Sequence, residues 1–406
     1  MNLVVTLEQR FVSVNGELYS SAITAYEFWR RYLRVFDSVT IVGRTEQRSS
    51  IPSGWVKCTG PNVKFFPLPI YVGPREFIVR CPALLISSII ALRTLGASTY
   101  LLRVPAISSI FIWAGLMLTK RAYALEVVGD PNDSLSSVVW KSRYMRIVQF
   151  FAVWIMKQQC KHATAAAYVT RCALQRRYPM CAAEGAQFSI PTGIKAFSVS
   201  DIELTQEGGD REKQIRGTEF SEKKIIYVGT LDSLYKGQEV LIKAFKRCRD
   251  LGCAYKLTIV GGGRYREFLE EMSRSFGIDE SVCFRGHISD PKAIRRLLHE
   301  SDLFVLPSYQ EGLPRAMVEA MSCGVPCIGS TVGGIPEILE EGDMVTPGDD
   351  AALAKLIRTV LADPNRLDAM ARRGIEISKQ YDAAVLVPRR DEFYNYVREN
   401  AGRRCQ

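Results

Sequence analysis

Paired cysteines and long hydrophobic runs are scarce in this sequence, and their scarcity excludes several protein classes. The eleven cysteines are odd in number, scattered and never arranged as Cys-x-x-Cys, which disfavours a disulfide framework and a structural zinc site and favours free thiols in a reducing compartment. Two apolar stretches, 81–92 and 104–119, are uncharged for 12 and 16 residues, whereas a membrane-spanning helix needs about 20. We therefore expect two buried core helices there.

Motifs for secretion, nucleic acid and metal ions are also missing. The opening residues MNLVVTLEQRFV contain an apolar run too short for a signal peptide and no basic segment before it, which predicts no secretory leader. No RNP, zinc-finger or helix-turn-helix signature occurs, so nucleic acid is not an expected partner. No Asp-x-Asp pair follows a predicted strand, so no divalent metal is implied.

Basic charge is concentrated in one half of the 406-residue chain. Residues 1–195 hold 23 Lys and Arg against ten Asp and Glu, a net charge of +13, and the remainder carries −3. This asymmetry favours an anionic membrane surface as a partner, because basic residues alternate with bulky apolar ones in YEFWRRYLRVF (26–36) and KSRYMRIVQFFAVWIMKQQCKH (141–162). Amphipathic core helices with solvated basic faces would show the same pattern, and the sequence leaves both interpretations open.

Alternating β and α elements predict two doubly wound parallel sheets, and the length is too great for one ordinary core. In the first half we predict strands at 2–7, 38–42, 99–104 and 122–128, and helices at 19–35, 84–95, 111–118 and 143–159. In the second half we predict strands at 223–229, 255–263 including terminal glycines, 282–285 and 303–307, and helices at 238–250, 265–277 and 291–300. The polar stretch 198–222 predicts a linker. Ligands of such sheets bind at the carboxyl ends of the strands.

The segment SYQEGLPRAMVEAMSCGVPCIGSTVGGIPE (308–337) places two carboxylates eight positions apart. Pro314 favours the first turn of a helix and Gly324 its end, which predicts a helix at about 313–323. The amino end of this helix would form an anion site beside Glu311, with Glu319 on the second turn. A nucleotide-sugar, with ribose, diphosphate and sugar in a row, suits this layout. Taken alone, such a pair is more often one loop glutamate and one exposed helical glutamate.

This segment resembles the donor-binding motif of retaining glycosyltransferases of family 4. The resemblance covers roughly residues 223–380, in the family's order and spacing, through IIYVGTLDSLYKGQEVLIKAF (225–245), YKLTIVGGG (255–263), FRGHI (284–288) and LHESDLFVLPSYQEG (298–312). The stretches LEQRFVSVNGELYSS and RVP…EVVGDP are similar, more loosely, to members that build bacterial surface polysaccharides. The resemblance implies an α/β GT-B fold, in which two Rossmann-like doubly wound parallel-sheet domains face a cleft.

The resemblance also implies that two domains of the chain bind different substrates. An N-terminal domain at 1–197 would bind the acceptor, and a C-terminal domain at 223–380 would bind the nucleotide-sugar. The linker at 198–222 would join them, and a C-terminal helix at 381–406 would return to the N-terminal domain.

Individual residues receive roles by the same resemblance. Lys236 would bind the diphosphate, Glu311 the sugar hydroxyls and Glu319 the ribose. Backbone amides of Gly312, Leu313 and Arg315 would cap the phosphate. The remaining donor-binding candidates are Gly229 at a strand end, the backbone of His287 and Ile288 beside the base, and Gly16 near the phosphate.

Two positions depart from the family's pattern. Thr230 stands where many members carry arginine, so phosphate neutralisation must depend on Lys236, on the helix dipole, or on Arg103 or another basic residue across the cleft. Many members also carry a histidine at an N-terminal strand end, and none of the three histidines lies at such a position. Arg103 and Asp130 occupy the two plausible strand ends. Asp130 would orient the acceptor or accept its proton, or would simply begin a turn at Asp-Pro.

The resemblance therefore implies a retaining, metal-independent hexosyltransferase without a cofactor. Its donor would be a UDP- or GDP-linked sugar and its acceptor a lipid-linked or other glycan of bacterial exopolysaccharide, capsule, O-antigen or lipopolysaccharide biosynthesis. We expect a cytoplasmic protein, peripherally associated with the inner face of the membrane. A GT-B sugar-nucleotide epimerase and a non-catalytic nucleotide-sugar-binding protein are the alternatives. The sequence does not specify the sugar, the acceptor, the linkage, the group that takes the acceptor proton or the oligomeric state.

Overall fold

The structure is a computed structural model that describes residues 1–20, 24–135, 143–180, 195–198, 204 and 222–401. The chain divides into two compact units, the first made of 1–131, 150–199 and 387–406 and the second of 132–149 and 200–386. Nearly all of the predicted linker at 198–222, and the first two residues of the basic stretch 141–162, lie outside the described residues.

The first unit is built on one nine-stranded sheet. Seven parallel strands run in the order β5-β3-β1-β6-β7-β8-β9, and two short antiparallel strands, β2 and β4, extend from the end of β1. Their bounds are β1 (Asn2–Val14), β2 (Glu17–Ser20), β3 (Ser38–Gln47), β4 (Val56–Lys57), β5 (Val63–Pro69), β6 (Thr99–Val104), β7 (Ala124–Val127), β8 (Ala165–Tyr168) and β9 (Lys195–Ser198).

Helices cover both faces of this sheet, because successive side chains of a strand point to opposite sides. One core contains Val4 and Leu102, and the opposite core contains Leu3 and Leu101. The helices of the first half are α1 (Tyr26–Leu33), α2 (Gly73–Thr94), α3 (Ile107–Leu118), α4 (Pro131–Ser134), α5 (Arg143–His162) and α6 (Ala173–Arg177). Side chains of α2, α3 and α5 enter the first core, and side chains of α1 enter the second.

The second unit contains a six-stranded parallel sheet with the order β12-β11-β10-β13-β14-β15. Its strands are β10 (Lys223–Val228), β11 (Tyr255–Val260), β12 (Val282–Gly286), β13 (Leu303–Leu306), β14 (Cys327–Ser330) and β15 (Met344–Val345). The helices of the second half of the chain are α7 (Gln238–Asp250), α8 (Arg266–Ser275), α9 (Pro291–His299), α10 (Arg315–Ser322), α11 (Asp350–Leu361), α12 (Pro364–Ser378) and α13 (Ala383–Glu399). The predicted strands and helices of this half are confirmed to within a few residues.

The last helix contributes to the core of the first unit. Phe393, Tyr394 and Val397 of α13 are buried in the same core as Trp29 of α1. The hydroxyl of Tyr394 donates a hydrogen bond of 2.9 Å to Glu126 of β7. Residues of α13 therefore complete one face of this sheet, although they follow the rest of the unit by more than 180 residues along the chain.

The helix predicted at 19–35 is wrong in its first third. Tyr19 and Ser20 belong to β2, and the helix begins only at Tyr26. Asn15 and Gly16, with φ of 49° and 80°, form a two-residue turn that pairs Val14 with Glu17 and so returns the chain as a hairpin. An Asn-Gly turn of this type prefers positive φ at both positions.

The expectation of a buried core helix is also wrong for α2. Among the described helices, α2 is long and apolar enough to cross a membrane by length and composition, and only 22% of its apolar window at Arg75–Thr94 is buried. Its inner residues Leu84, Ala91 and Leu92 pack on the sheet, while most other apolar side chains remain exposed. The charge-free run 81–92 therefore marked only the middle of a longer, half-exposed helix.

Candidate functional site

The candidate site lies at the carboxyl ends of β10 and β13. These strands are neighbours in the sheet but are separated along the chain by β11 and β12, which lie on the other side of β10. The strand order therefore reverses between β10 and β13. In open parallel sheets, ligands bind in the crevice outside the strands at such a reversal.

Lys236 and Glu311 meet at this reversal. Lys236 ends a short 3-10 turn at Leu234–Lys236 that follows β10, and Glu311 lies in the loop after β13. The Lys236 Nζ is 2.8 Å from the Glu311 Oε1, and the Ser308 Oγ donates to the same oxygen at 2.7 Å. Glu311 is only 8% exposed. The two residues predicted to act on diphosphate and sugar thus form one charged pair.

The pair holds the lysine in its cationic form. Burial alone would lower the pKa of Lys236, but the carboxylate of Glu311 and the neighbouring Tyr235 outweigh it and raise the pKa above the ordinary value of 10.5. Lys236 is therefore a positive charge at neutral pH. A buried lysine without a carboxylate partner would tend to lose its proton.

Glycines fix the loops around this pair. A Cβ atom at Gly229 would lie 2.7 Å from the hydroxyl of the buried Tyr227 and 3.1 Å from the Cδ of Lys236, so any other residue there would displace these side chains. Gly333, with φ of 54°, lies so close to the loop after β13 that a Cβ atom would come within 1.8 Å of the Glu311 carbonyl oxygen. The Gly334 N–H donates to the Gly312 carbonyl at 2.7 Å. The loop after β14 thereby holds the backbone of Glu311 and Gly312 in place.

The helix that follows Glu311 is shorter than predicted. It begins at Arg315 and ends at Ser322, with Pro314 as the flanking N-cap residue in an extended conformation. Gly312 and Leu313 form the approach to its amino end. Because the first N–H groups of a helix have no partner within the helix, this end favours negative charge.

Glu319 lies on the second turn of α10 and is half-buried. Within the described part of the chain its carboxylate makes no hydrogen bond, and burial raises its pKa although Arg315 and Arg295 oppose this. A half-buried carboxylate without a hydrogen-bond donor is unfavourable in the unliganded protein. Ligand hydroxyl groups would supply the missing donors.

His287 and Ile288 follow β12 directly, on the far side of β11 from the reversal. His287 is exposed and Ile288 is half-buried. The carbonyl oxygen of Gly286 accepts a hydrogen bond of 2.9 Å from the Gly261 N–H, which joins the ends of β11 and β12. The structure thus places both residues at the same sheet edge as Lys236, and their contact with a base stays a prediction.

Gly16 and Arg103 belong to the first unit, and each has a local structural explanation. Gly16 is the second residue of the hairpin turn between β1 and β2. Arg103 on β6 is buried and its Nη1 is ion-paired with Glu126 on β7. Arg103 thus has a structural partner within the first unit, and its assignment to the donor phosphate stays a prediction.

Asp130 is likewise held by other residues of the first unit. It is 3% exposed, forms an ion pair with Arg177 and accepts a hydrogen bond of 2.5 Å from the Tyr178 hydroxyl. Pro131 begins α4 immediately afterwards. These contacts give Asp130 a structural role, in line with the alternative that it begins a turn at Asp-Pro, and its role toward the acceptor stays a prediction.

Two residues of the candidate site were missed by the sequence interpretation. Ser308 orients Glu311, and its only signal was a hydroxyl three residues before the glutamate. Arg264 follows the glycine run at the end of β11, where its Nε donates to the Asp232 carbonyl at 2.8 Å. Its Nη groups make no hydrogen bond among the described residues, and its guanidinium lies 5.0 Å from the centroid of the Tyr265 ring. This exposed arginine therefore forms no ion pair with a described residue and lies beside the loop that contains Thr230.

The described residues include no group of three or more His, Cys, Asp or Glu side chains positioned to hold a metal ion. The site therefore consists of a paired lysine and glutamate, an exposed arginine, a half-buried glutamate and a helix amino end. Its cations and donors suit a ligand that combines negative charge with hydroxyl groups.

Comparison with known proteins gives the same picture. Residues 210–377 match the family model for glycosyl transferases group 1. Protein CapJ of Staphylococcus aureus is 28% identical over 93% of this chain and 91% of its own. The amylovoran biosynthesis glycosyltransferase AmsK of Erwinia amylovora is 31% identical over 38% of this chain and 41% of its own.

A solved structure extends the likeness to the fold of the whole chain. HepE from Anabaena, in complex with UDP and glucose, superposes with a TM-score of 0.60 at 18% identity and covers 96% of this chain and 98% of its own. The resemblance predicted from the sequence is thereby confirmed. The chain has the GT-B fold, and its residues 210–377 are similar to the glycosyl transferases group 1 family.

Proposed function

We propose that this protein transfers a sugar from a nucleotide-sugar to a lipid-linked or other glycan acceptor in the synthesis of a bacterial surface polysaccharide. The observation that carries the proposal is the Lys236–Glu311 pair at the strand-order reversal. It combines a cation for a diphosphate with a carboxylate for sugar hydroxyls within 2.8 Å. The relatives named above, including one bound to UDP and glucose, support a nucleotide-sugar as the donor.

On donor binding, Lys236 and Glu311 would each contact a different part of the nucleotide-sugar. The diphosphate would attract Lys236, and the hydroxyls of the sugar would donate to Glu311. Each member of the pair would then exchange its protein partner for a ligand partner, so neither charge is left uncompensated in the crevice. Glu319 would accept from the ribose hydroxyls, which are the donors it lacks in the unliganded protein.

The chemistry would require stabilisation of the leaving group. As the bond between the anomeric carbon and the diphosphate breaks, the sugar gains oxocarbenium character and the diphosphate gains negative charge. Lys236 and the amino end of α10 are preorganised for that charge and act without a metal ion. Attack of the acceptor hydroxyl on the face that the diphosphate leaves keeps the anomeric configuration.

Arg264 would supply the positive charge missing at Thr230. It lies at the end of β11, beside β10, and its stem is fixed on the loop of Asp232. Arginine suits phosphate because its planar donors bind two oxygens at once. Arg103, the other candidate, is buried and ion-paired with Glu126 within the first unit.

A panel of UDP- and GDP-sugars, screened by thermal shift, tests the donor. A ligand that binds only the folded protein stabilises it by about 2.7 kcal/mol at a concentration of 100 times its Kd. The stabilising donor is then incubated with lipid-linked and free glycan acceptors, and product formation is followed by mass spectrometry. Binding of no donor in the panel, together with no product, would contradict the proposal.

Two other functions give different results in the same assays. An epimerase would convert the donor without any acceptor, whereas a transferase needs one. A non-catalytic binding protein would be stabilised by the donor and would release neither sugar nor nucleotide. Acceptor-dependent release of the nucleotide is therefore the deciding measurement.

We also propose that the protein acts at the inner face of a membrane, as a peripherally bound cytoplasmic enzyme. The net charge of +13 on residues 1–195 supports attraction to acidic lipids. A lipid-linked acceptor would be presented at that surface.

A further inference from the structure

The outward side of α2 is a stripe of exposed aliphatic side chains. Ile78 and Val79 recur one heptad later as Leu85 and Ile86, and all four are between 48% and 77% exposed. Residues seven apart lie on nearly the same side of a helix. The stripe therefore runs along the helix, opposite the residues that pack on the sheet. Single exposed apolar residues are ordinary, but a continuous stripe indicates an interaction surface.

Two neighbouring helices extend this apolar surface. Leu118 at the end of α3 and Phe150, Phe151 and Trp154 of α5 are between 50% and 87% exposed. The inner residues of α2, α3 and α5 all enter one core on one face of the first sheet. We call the exposed outer sides of α2, α3 and residues 150–162 of α5 the apolar face.

Hydrogen bonds tie the three helices into one layer. Arg121, just after α3, donates to the carbonyl oxygens of Leu92 and Gly96 at the end of α2, at 3.1 and 3.0 Å. The Trp113 Nε1 of α3 donates to the Tyr123 hydroxyl at 3.0 Å, and that hydroxyl donates to the Gln159 carbonyl of α5 at 2.8 Å. The apolar face is thus a connected layer within the first unit.

The charges on the helices of the apolar face are mostly positive. Neither α3 nor α5 contains an acidic residue, and Glu76 is the only one in α2. Arg80, Arg93, Lys157 and Lys161 are exposed, and none of them forms an ion pair with a described residue. Exposed apolar side chains bordered by unpaired basic ones are typical of helices that lie in the headgroup region of acidic membranes.

The helix at 26–36, which the sequence favoured equally, does not have these properties. Its Trp29 and Tyr32 are fully buried against the opposite face of the sheet. Arg30 pairs with Glu27 at 2.9 Å and Arg34 with Asp391 at 2.8 Å, while Arg31 lies 3.8 Å from Glu126. Its cations are neutralised by the protein, so α1 fits the alternative of an amphipathic core helix.

We propose that the apolar face is the surface that docks on an anionic lipid bilayer, with its aromatic and aliphatic side chains inserted among the headgroups. The inference rests on the proposed function only in that a lipid-linked acceptor gives the docking a purpose. A second copy of the chain fits the face less well, because two faces of the same positive sign would repel. A spanning role for α2 is disfavoured because Leu84, Ala91 and Leu92 are committed to the core of the unit.

Vesicle flotation of the full-length protein tests the docking. Vesicles are made of phosphatidylcholine alone or mixed with phosphatidylglycerol, at low salt and at about 1 M salt, where the Debye length is about 3 Å. We expect binding to the mixed vesicles that weakens in high salt but persists in part, because inserted apolar groups are not screened. Combined Phe150→Ser, Phe151→Ser and Trp154→Ser should lower the bound fraction at both salt concentrations, by at least about tenfold in partition.

Two control variants separate the apolar and charged contributions. Lys157→Gln with Lys161→Gln should lower vesicle binding about fivefold per charge at low salt. The binding that persists at high salt should not change. Leu251→Ser with Phe268→Ser removes exposed apolar side chains of the second unit and should leave flotation unchanged. UDP and GDP binding, measured on each variant by calorimetry, reports whether the second unit is folded. Circular dichroism and the melting temperature report whether the whole chain is.

The outcomes distinguish the docking from the transferase proposal. Wild-type flotation of a folded triple variant would overturn the docking face, as would a protein that never binds acidic vesicles. A concentration-dependent dimer that the triple variant abolishes, without vesicle binding, would make the face a protein interface instead. Vesicle binding that the triple variant loses, in a protein that turns over no nucleotide-sugar, would support the docking face and refute the proposed function.

Discussion

Glu311→Gln is expected to strengthen the binding of UDP or GDP while it lowers the rate of sugar transfer. In the unliganded protein the positive charge of Lys236 is neutralised by Glu311 at 2.8 Å. A nucleoside diphosphate without a sugar must compete with that carboxylate for the lysine and is also repelled by it. Glutamine has the same size and still accepts a hydrogen bond from Ser308, so the substitution removes the charge and little else.

The expected change in Kd follows from how deeply the charges of Lys236 and Glu311 are buried and how far apart they are. Two unit charges 4 Å apart interact by about 4 kcal/mol at an effective dielectric constant of 20. Partial exposure of Lys236, whose side chain is 18% accessible, reduces the net effect to about 1–2 kcal/mol, since solvent screens exposed pairs. The Kd for the bare nucleotide should therefore fall about five- to thirtyfold. Transfer should fall because a hydrogen bond to a charged group, worth about 1.5–3 kcal/mol, is lost at the sugar.

Isothermal titration calorimetry with UDP and with GDP measures the first effect, and acceptor-dependent nucleotide release measures the second. Glu319→Gln is the matched control, because it is the same substitution at a carboxylate that pairs with no lysine. It should weaken the binding of UDP or GDP, since a charged acceptor for the ribose is lost. A Glu311→Gln protein that binds the bare nucleotide more weakly than wild type would refute the reasoning that Glu311 and the diphosphate share Lys236.

Four further predictions concern the same crevice. Lys236→Ala should lower the transfer rate at least ~100-fold, by analogy with the loss of one preorganised donor, and wild-type activity should persist in EDTA; strict dependence on manganese or magnesium would contradict this. Arg264→Gln should weaken nucleotide binding by about 1–2 kcal/mol in calorimetry. An unchanged Kd would refute the proposal that Arg264 supplies the positive charge missing at Thr230. Because the folded-state pKa of Lys236 is raised, the pair's contribution to unfolding free energy should be complete below pH 10.5 and disappear as the pH rises through that raised value, and urea titrations of wild type and Lys236→Met should converge there. Because the folded-state pKa of Glu319 is raised, its ionised form disfavours folding, so stability should increase as the pH falls through that pKa, an increase that Glu319→Gln should lack.

The architecture of the second unit was accessible from the sequence because its signals are local and agree with each other. Apolar strands, glycines at their ends and amphipathic helices follow one another with short connections, and these patterns predict βα repeats directly. Pro314 illustrates the limit. It favours a helix start on sequence grounds, but the structure gives it an extended conformation and starts α10 one residue later, a shift that sequence patterns do not resolve.

The site was predicted as a set of residues but not as an arrangement. The glycines and the spacing of the two glutamates indicated candidate ligand-binding residues, whereas the ion pair between Lys236 and Glu311 joins positions 75 residues apart. The structural partners of Arg103 and Asp130 were likewise invisible in the sequence. Each lies at a strand end, where a functional role is plausible, but partners on other elements, Glu126 and Arg177, already neutralise its charge.

The basic stretches show why charge in a sequence does not identify a surface. Residues 26–36 and 141–162 have the same alternation of arginine or lysine with bulky apolar side chains. In α1 the apolar residues face the core and acidic residues neighbour the arginines, whereas in α5 aromatic residues face outward and the lysines are unpaired. Only the packing of each helix separates the two cases.

The position of α13 has a consequence for the order in which the protein matures on the ribosome. Phe393, Tyr394 and Val397 complete the core behind α1, yet they are synthesised after the entire second sheet. Chains usually fold as they emerge, with amino-terminal domains first. Here the amino-terminal unit begins first, but one face of its sheet stays incomplete and Glu126 lacks its hydrogen bond from Tyr394 until residues 393–397 have left the exit tunnel. The carboxyl-terminal unit, begun later, is the one able to finish earlier.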